Sequence, residues 1–178
     1  RNETSLKYSR AAFQMMLENF SRVLESPDDL EARGQMLLGA AYAGTAIEHS
    51  MLGAAHSAAN PLTAHYDVVH GQAVGMMLPH VVRFNAADET IADGYAALVK
   101  DTAVASSNGT LSAEALAQAM EALLDSANLP RDLTAFGVDA NQLDVLSKEA
   151  AQQWTASFNP RDITAADFKG LYQKAFAS

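Results

Sequence analysis

Apolar residues recur at helical spacing along almost the whole of this chain, and they rarely alternate with polar ones as a half-buried strand requires. From Ser5 to Leu24 they fall at Leu6, Ala12, Phe13, Met16, Leu17, Phe20 and Leu24, one face of a helix. Ser26-Pro27-Asp28-Asp29 ends that helix and opens the next, which starts at Leu30. This second segment is dense in Gly and Ala up to Ile47 and keeps a helical pattern to Ala59. Small side chains let helices approach closely, which places it at the centre of the fold. Asn60-Pro61 is read as its stop, because proline disfavours helical geometry in the residue before it.

Pro61 to Val69 then reads as a connection, and Gln72 to Asn85 as an apolar helix that Pro79 kinks or divides. Further helices are expected from Ile91 to Val104, from Ala113 to Ala127 with Ser112 as cap, and through Trp154 with Asp139 or Asn141 as cap. Ser106 to Gly109 is a turn cluster, and Arg131 to Gly137 a short helix or turn. Phe158 to Arg161 is a loop. Thr164 with Asp167 forms a variant of the capping box ahead of a last helix, Ala165 to Ala177. The expectation is an all-α chain, a multi-helix bundle of roughly seven to nine helices.

Composition narrows the function classes. At 178 residues the chain fits one domain, or at most two. Its net charge of −9 argues against nucleic acid or an anionic membrane as partner, since phosphate binding needs a basic face. There is no cysteine, which removes disulfides, zinc ribbons and thiol nucleophiles. The apolar run Gly34–Ile47 ends at Glu48-His49, too soon for a membrane span. No signal peptide is visible, and a cytoplasmic setting is expected.

All five histidines, His49, His56, His65, His70 and His80, fall in one window ending at Asn85. A lone histidine on an apolar helix is ordinarily a hydrogen-bonded core residue, but histidine is also the commonest metal ligand, and this clustering asks for a chemical reason. His49, Gly53, His56 and Asn60 are spaced four, three and four residues apart, which on a continuous helix is one face. Gly53 would leave room there for something to approach. His70 follows His56 by fourteen residues, across a connection long enough to fold back. Two neutral imidazoles suit Zn2+ or Fe2+. Two are too few for a tight site, and Glu48, Asp67, His65 and His49 are the further candidates. His80 reads as structural, His65 as a partly exposed loop residue, and Met76-Met77 as core filling.

These residues resemble the iron-containing (group III) alcohol dehydrogenases. The resemblance is carried by Leu52-Gly53, His56, His70-Gly71, Leu78-Pro79-His80 and Asn85. The tail agrees, with Asn159-Pro160-Arg161, Thr164, Asp167, Leu171-Tyr172 and Ala175-Phe176, and upstream so do Asp29 to Arg33 and Ala43-Gly44. By that resemblance His56 and His70 are two of four protein ligands of a catalytic Fe2+ or Zn2+. The reaction it implies is metal-assisted hydride transfer between an alcohol and an aldehyde or ketone, with NAD or NADP. Asn60 stands where many members have a further histidine near substrate and nicotinamide. Ile47, His49 and Thr155 match the substrate side of the pocket, and His80 is not a ligand.

The same resemblance implies a two-domain parent, with an α/β nucleotide-binding domain preceding a helical one. Residues 1–178 look like the helical metal-binding domain, because this sequence has neither the Gly-rich loop nor the Asp-x-x-x-His pair expected of the other. Alone, it is expected to bind neither nicotinamide nor metal tightly and not to turn over. The missing domain is then its chief partner, alongside a small alcohol or carbonyl compound and a possible second copy of the chain. Two other readings are an isolated, non-catalytic helical module and an enzyme of the glycerol dehydrogenase or dehydroquinate synthase type. The Leu-Pro-His and Asn-Pro-Arg segments favour the alcohol dehydrogenases over the latter.

Overall fold

The computed structural model describes residues 2–100, 102 and 112–176. Among them are eight α-helices, three short 3-10 turns and no strand, as the periodicity predicts. No helix among the described residues is long and apolar enough to cross a membrane. The turn cluster expected at Ser106 to Gly109 lies outside the described residues. The helices fall into two compact units, one made of residues 2–51 with 98–100 and 102, the other of 52–97 and 112–176.

The first unit is an antiparallel hairpin of α1 (Glu3–Glu25) and α2 (Leu30–Ser50). Asn2 caps α1 in a reciprocal box with Ser5, and Asp29 caps α2 by accepting the Ala32 N–H. Contacts run down its length. The Asn2 amide donates to the His49 carbonyl at 3.2 Å, the Tyr8 and Tyr42 rings meet edge-on, and Arg22 pairs with Asp29 at 2.8 Å. Midway, a Cβ on Gly39 would lie 2.8 Å from Met16 Cγ, so the small residue permits the approach expected of this helix. Central placement does not hold. Only Ala32, Gly39 and Ala46 of α2 are buried, and Leu30 and Leu37 are largely exposed.

Helix α2 stops at Ser50, earlier than expected, and Met51 takes a positive φ of 67°. The second unit opens with α3 (Ala54–Tyr66), which runs straight through Asn60-Pro61. The break predicted at Pro61 therefore lies at Met51–Gly53, and residues 61–66 are helix rather than connection. Burial of Pro61 and Leu62 offsets the hydrogen bond that the proline cannot make. Asp67, in the left-handed conformation, ends α3, and only Asp67–Val69 separate it from α4 (His70–Asn85), which Pro79 does not divide.

Helix α5 (Glu89–Val99) follows, then α6 (Ala113–Ser126) with Ser112 as its cap. The 3-10 turns Leu133–Phe136 and Ala140–Gln142 lead to α7 (Leu143–Gln152). Asp139 caps the second of those turns, and Trp154 opens a separate turn, Trp154–Phe158, instead of ending α7. The last helix, α8 (Ala165–Ala175), carries the full Thr164/Asp167 box. Helix α4 packs on α3 and α6, and α7 on α8 and α3. Their shared core includes Leu62, Met76, Met77, Leu146, Phe168 and Tyr172, all fully buried. The Tyr172 hydroxyl donates to the Ala58 carbonyl at 2.7 Å, fastening α8 to α3.

Candidate metal centre

His56 lies in the first turn of α3 and His70 is the first residue of α4. The reversal at Asp67–Val69 folds α4 back, and the two rings meet with centroids 5.4 Å apart and planes tilted by 51°. Two imidazoles that each give one nitrogen to a tetrahedral ion stand about 5 Å apart, from Zn–N bonds of about 2.1 Å, so the pair fits shared coordination. His56 is half-buried and His70 exposed. Burial pushes the His56 imidazole below its ordinary value, and the His70 ring adds in the same direction. Both causes favour the neutral form, which is the ligating form.

The donor set is incomplete. Among the described residues no group of three or more His, Cys, Asp or Glu side chains could hold a metal. Of the further ligands considered, His65 lies in the last turn of α3 rather than a loop and pairs with Glu149 at 2.7 Å. Asp67 caps the same helix, and Glu48 and His49 belong to the first unit.

The face drawn from His49 to Asn60 is cut by the break at Met51–Gly53. His49 lies in the last turn of α2 and is exposed, and Ile47, one turn before the break, is half-buried. His56 and Asn60 remain one turn apart on α3. The Asn60 amide donates to Gln153 Oε1 at 2.9 Å. Thr155 is buried, and its hydroxyl lies 2.7 Å from that of Ser57. His80 is buried in the α4–α6 region, in keeping with a structural role, as are Met76 and Met77.

One residue escaped sequence reasoning as a participant, although the motif holding it was recognised. Asn159 packs against Gly53, where an added Cβ would be in ordinary contact at 3.5 Å. What approaches Gly53 is thus the chain itself, and glycine is not sterically required. Asn159 accepts from the Ala54 N–H and exchanges hydrogen bonds with Asn85, whose amide also reaches the Tyr95 hydroxyl. Arg161 donates to the Phe84 carbonyl and stacks on the Phe84 ring at 4.0 Å.

A family model described as "Fe-containing alcohol dehydrogenase family, C-terminal" matches residues 4–176. The NADPH-dependent butanol dehydrogenase of Clostridium saccharobutylicum is 27% identical over 166 residues, which cover 91% of this chain and 42% of that protein. Lactaldehyde reductase of Escherichia coli K12 is 31% identical over 150 residues, covering 83% of this chain and 39% of that one. An alcohol dehydrogenase structure from Oenococcus oeni superposes with a TM-score of 0.87 at 23% identity, over 98% of this chain and 46% of that chain. The chain therefore spans less than half the length of the relatives it matches. From residue 4 to residue 176, it belongs to the Fe-containing alcohol dehydrogenase family and corresponds to that family's C-terminal part.

Proposed function

We propose that this chain is the helical, metal-binding part of an NAD(P)-dependent alcohol dehydrogenase, and that His56 and His70 are two of the protein ligands of its Fe2+ or Zn2+. The observation that supports the assignment most is the 5.4 Å ring pair, formed by residues on different helices. Named relatives reduce or oxidise butanol and lactaldehyde, which points to a small alcohol and its carbonyl counterpart as the reacting pair. The remaining ligands and the nicotinamide site belong to a preceding nucleotide-binding domain. Bound here, the metal supplies Lewis acidity toward the substrate oxygen.

The chain's own residues have distinct tasks. Half-burial on α3 favours the neutral form of His56, whose lone pair a metal needs. His70, at the exposed start of α4, closes the pair without needing a large movement. Asn60 can orient a polar group by hydrogen bonding, but an amide cannot relay a proton, and its N–H is engaged by Gln153. Any proton movement in this enzyme therefore runs through another group or water.

The test compares the intact enzyme with its His56→Ala and His70→Ala variants by metal analysis and by alcohol-dependent NAD(P) reduction. Both variants are expected to lose metal and turnover. Wild-type metal content in either variant would sink the assignment.

A further inference from the structure

We infer that Asn159 is the positioning residue of the His56–His70 pair: its side-chain amide ties the start of α3 to the end of α4 and thereby sets the spacing of the two imidazoles. Its functional meaning rests on the ligand reading above, whereas its geometry does not.

Helix α3 begins at Gly53, which has no side chain with which to cap it. The Ala54 N–H is one of the first-turn donors that has no partner within its helix. It donates instead to Asn159 Oδ1 at 3.4 Å, across 105 residues of sequence. His56 stands two residues further on. The same Asn159 oxygen accepts from Asn85 Nδ2 at 3.2 Å, and Asn159 Nδ2 donates back to Asn85 Oδ1 at 2.8 Å. Asn85 is buried and is the last residue of α4, the helix that His70 opens. The second Asn159 donor goes to the Arg161 carbonyl at 2.6 Å. Two donations and two acceptances use the whole capacity of a carboxamide. A carboxylate of the same shape keeps the acceptances and loses both donations, and leucine loses all four.

Leverage makes this clasp matter for the histidines. Helices α3 and α4 pack on one another, but the chain connects them only through Asp67–Val69, at the end of α3 remote from His56. A pivot about that link moves His56 most and His70, beside the link, least. The Asn159 clasp holds the end that would swing.

The experiment uses the chain with ring-labelled histidine and compares wild type, Asn159→Asp, Asn159→Leu and Asp167→Ala. The last breaks the capping box of α8 in the same unit and serves as a control for general destabilisation. Three quantities are read: helical circular dichroism, the ring-proton cross-relaxation peak between His56 and His70 without metal, and the response of both rings to Zn2+ alone. In the Asn159 variants the helical signal is expected to persist while the cross-peak is lost. Zn2+ should bind about tenfold more weakly, the low end of what losing the support of a metal ligand costs. Asp167→Ala should melt earlier yet keep the cross-peak and the Zn2+ response. The inference is overturned by a wild type without the cross-peak, by Asn159 variants that retain it, by its equal loss in Asp167→Ala, or by its loss only together with unfolding. Wild-type rings that ignore Zn2+ while the cross-peak behaves as expected would defeat the ligand reading and leave the positioning role standing.

Discussion

The His56 ring lies 5.4 Å from the His70 ring, yet the two side chains stand in different surroundings, one half-buried on α3 and the other exposed at the start of α4. Helix packing has little use for His70. His70→Ala should therefore change stability by no more than about 0.5 kcal/mol, the ordinary range for a surface substitution. His56→Ala removes a half-buried ring and should cost about 1 kcal/mol or more. Both should abolish the shared response to Zn2+. Urea unfolding alongside the titration separates the effects, and a His70→Ala loss as large as that of His56→Ala would make the pair a structural contact.

Ser57 and Thr155 form a buried hydroxyl pair at 2.7 Å that joins α3 to the turn following α7. Thr155→Val leaves the Ser57 hydroxyl without its strongest partner, and the cost expected is about 1–3 kcal/mol. Ser57→Ala should cost a similar amount. Because one bond is counted in both, the double variant should be less destabilised than the two single losses added together, with a coupling of at least about 0.5 kcal/mol. Additive losses in a denaturation cycle would show that the hydroxyls act separately.

His80 gives the chain an acid-sensitive element ten residues along α4 from His70. Burial holds its imidazole below the ordinary value, Arg83, Lys174 and Arg131 push it the same way, and Glu121 opposes them. The folded state thus takes up a proton less readily than the unfolded chain, whose histidines titrate near about 6.5. Stability from this residue is complete above that pH and is lost as the pH falls from it through the lower folded value. His56 has the same sign in the same window. The difference between wild type and His80→Gln isolates His80, and the variant should show the shallower fall in stability below pH of about 6.5. Parallel curves would mean that His80 titrates alike in both states.

Local signals were legible wherever the interaction is local. Ser112 caps α6 and the Thr164/Asp167 box opens α8, because an N-cap and its partner lie within one turn. The all-α class followed from periodicity for the same reason, and Met76 and Met77 are buried as the core-filling reading expects. The pairing of His56 with His70 was anticipated from their spacing and from family resemblance. Asn60-Pro61 misled because burial outweighs a missing backbone bond, and burial depends on neighbours that the local sequence does not reveal. Asn159 gave no sign of its reach, since its partners Asn85 and Ala54 lie 74 and 105 residues away.

The break that replaced the expected one rests on Met51, whose φ of 67° and ψ of 173° fall where only glycine moves freely. For any other residue this conformation costs about 1–3 kcal/mol. Met51→Gly removes that cost but admits more freedom to the unfolded chain, worth about 0.5–1 kcal/mol against it. The net expectation is a gain of about 1 kcal/mol, reduced by whatever the half-buried methionine side chain contributes. Met51→Val keeps the strain and adds a branched Cβ, so it should lose stability instead. Opposite signs for the two variants in urea unfolding would show that backbone strain, rather than side-chain packing, sits at the break. A loss of stability in both would mean that the methionine is held there by its contacts.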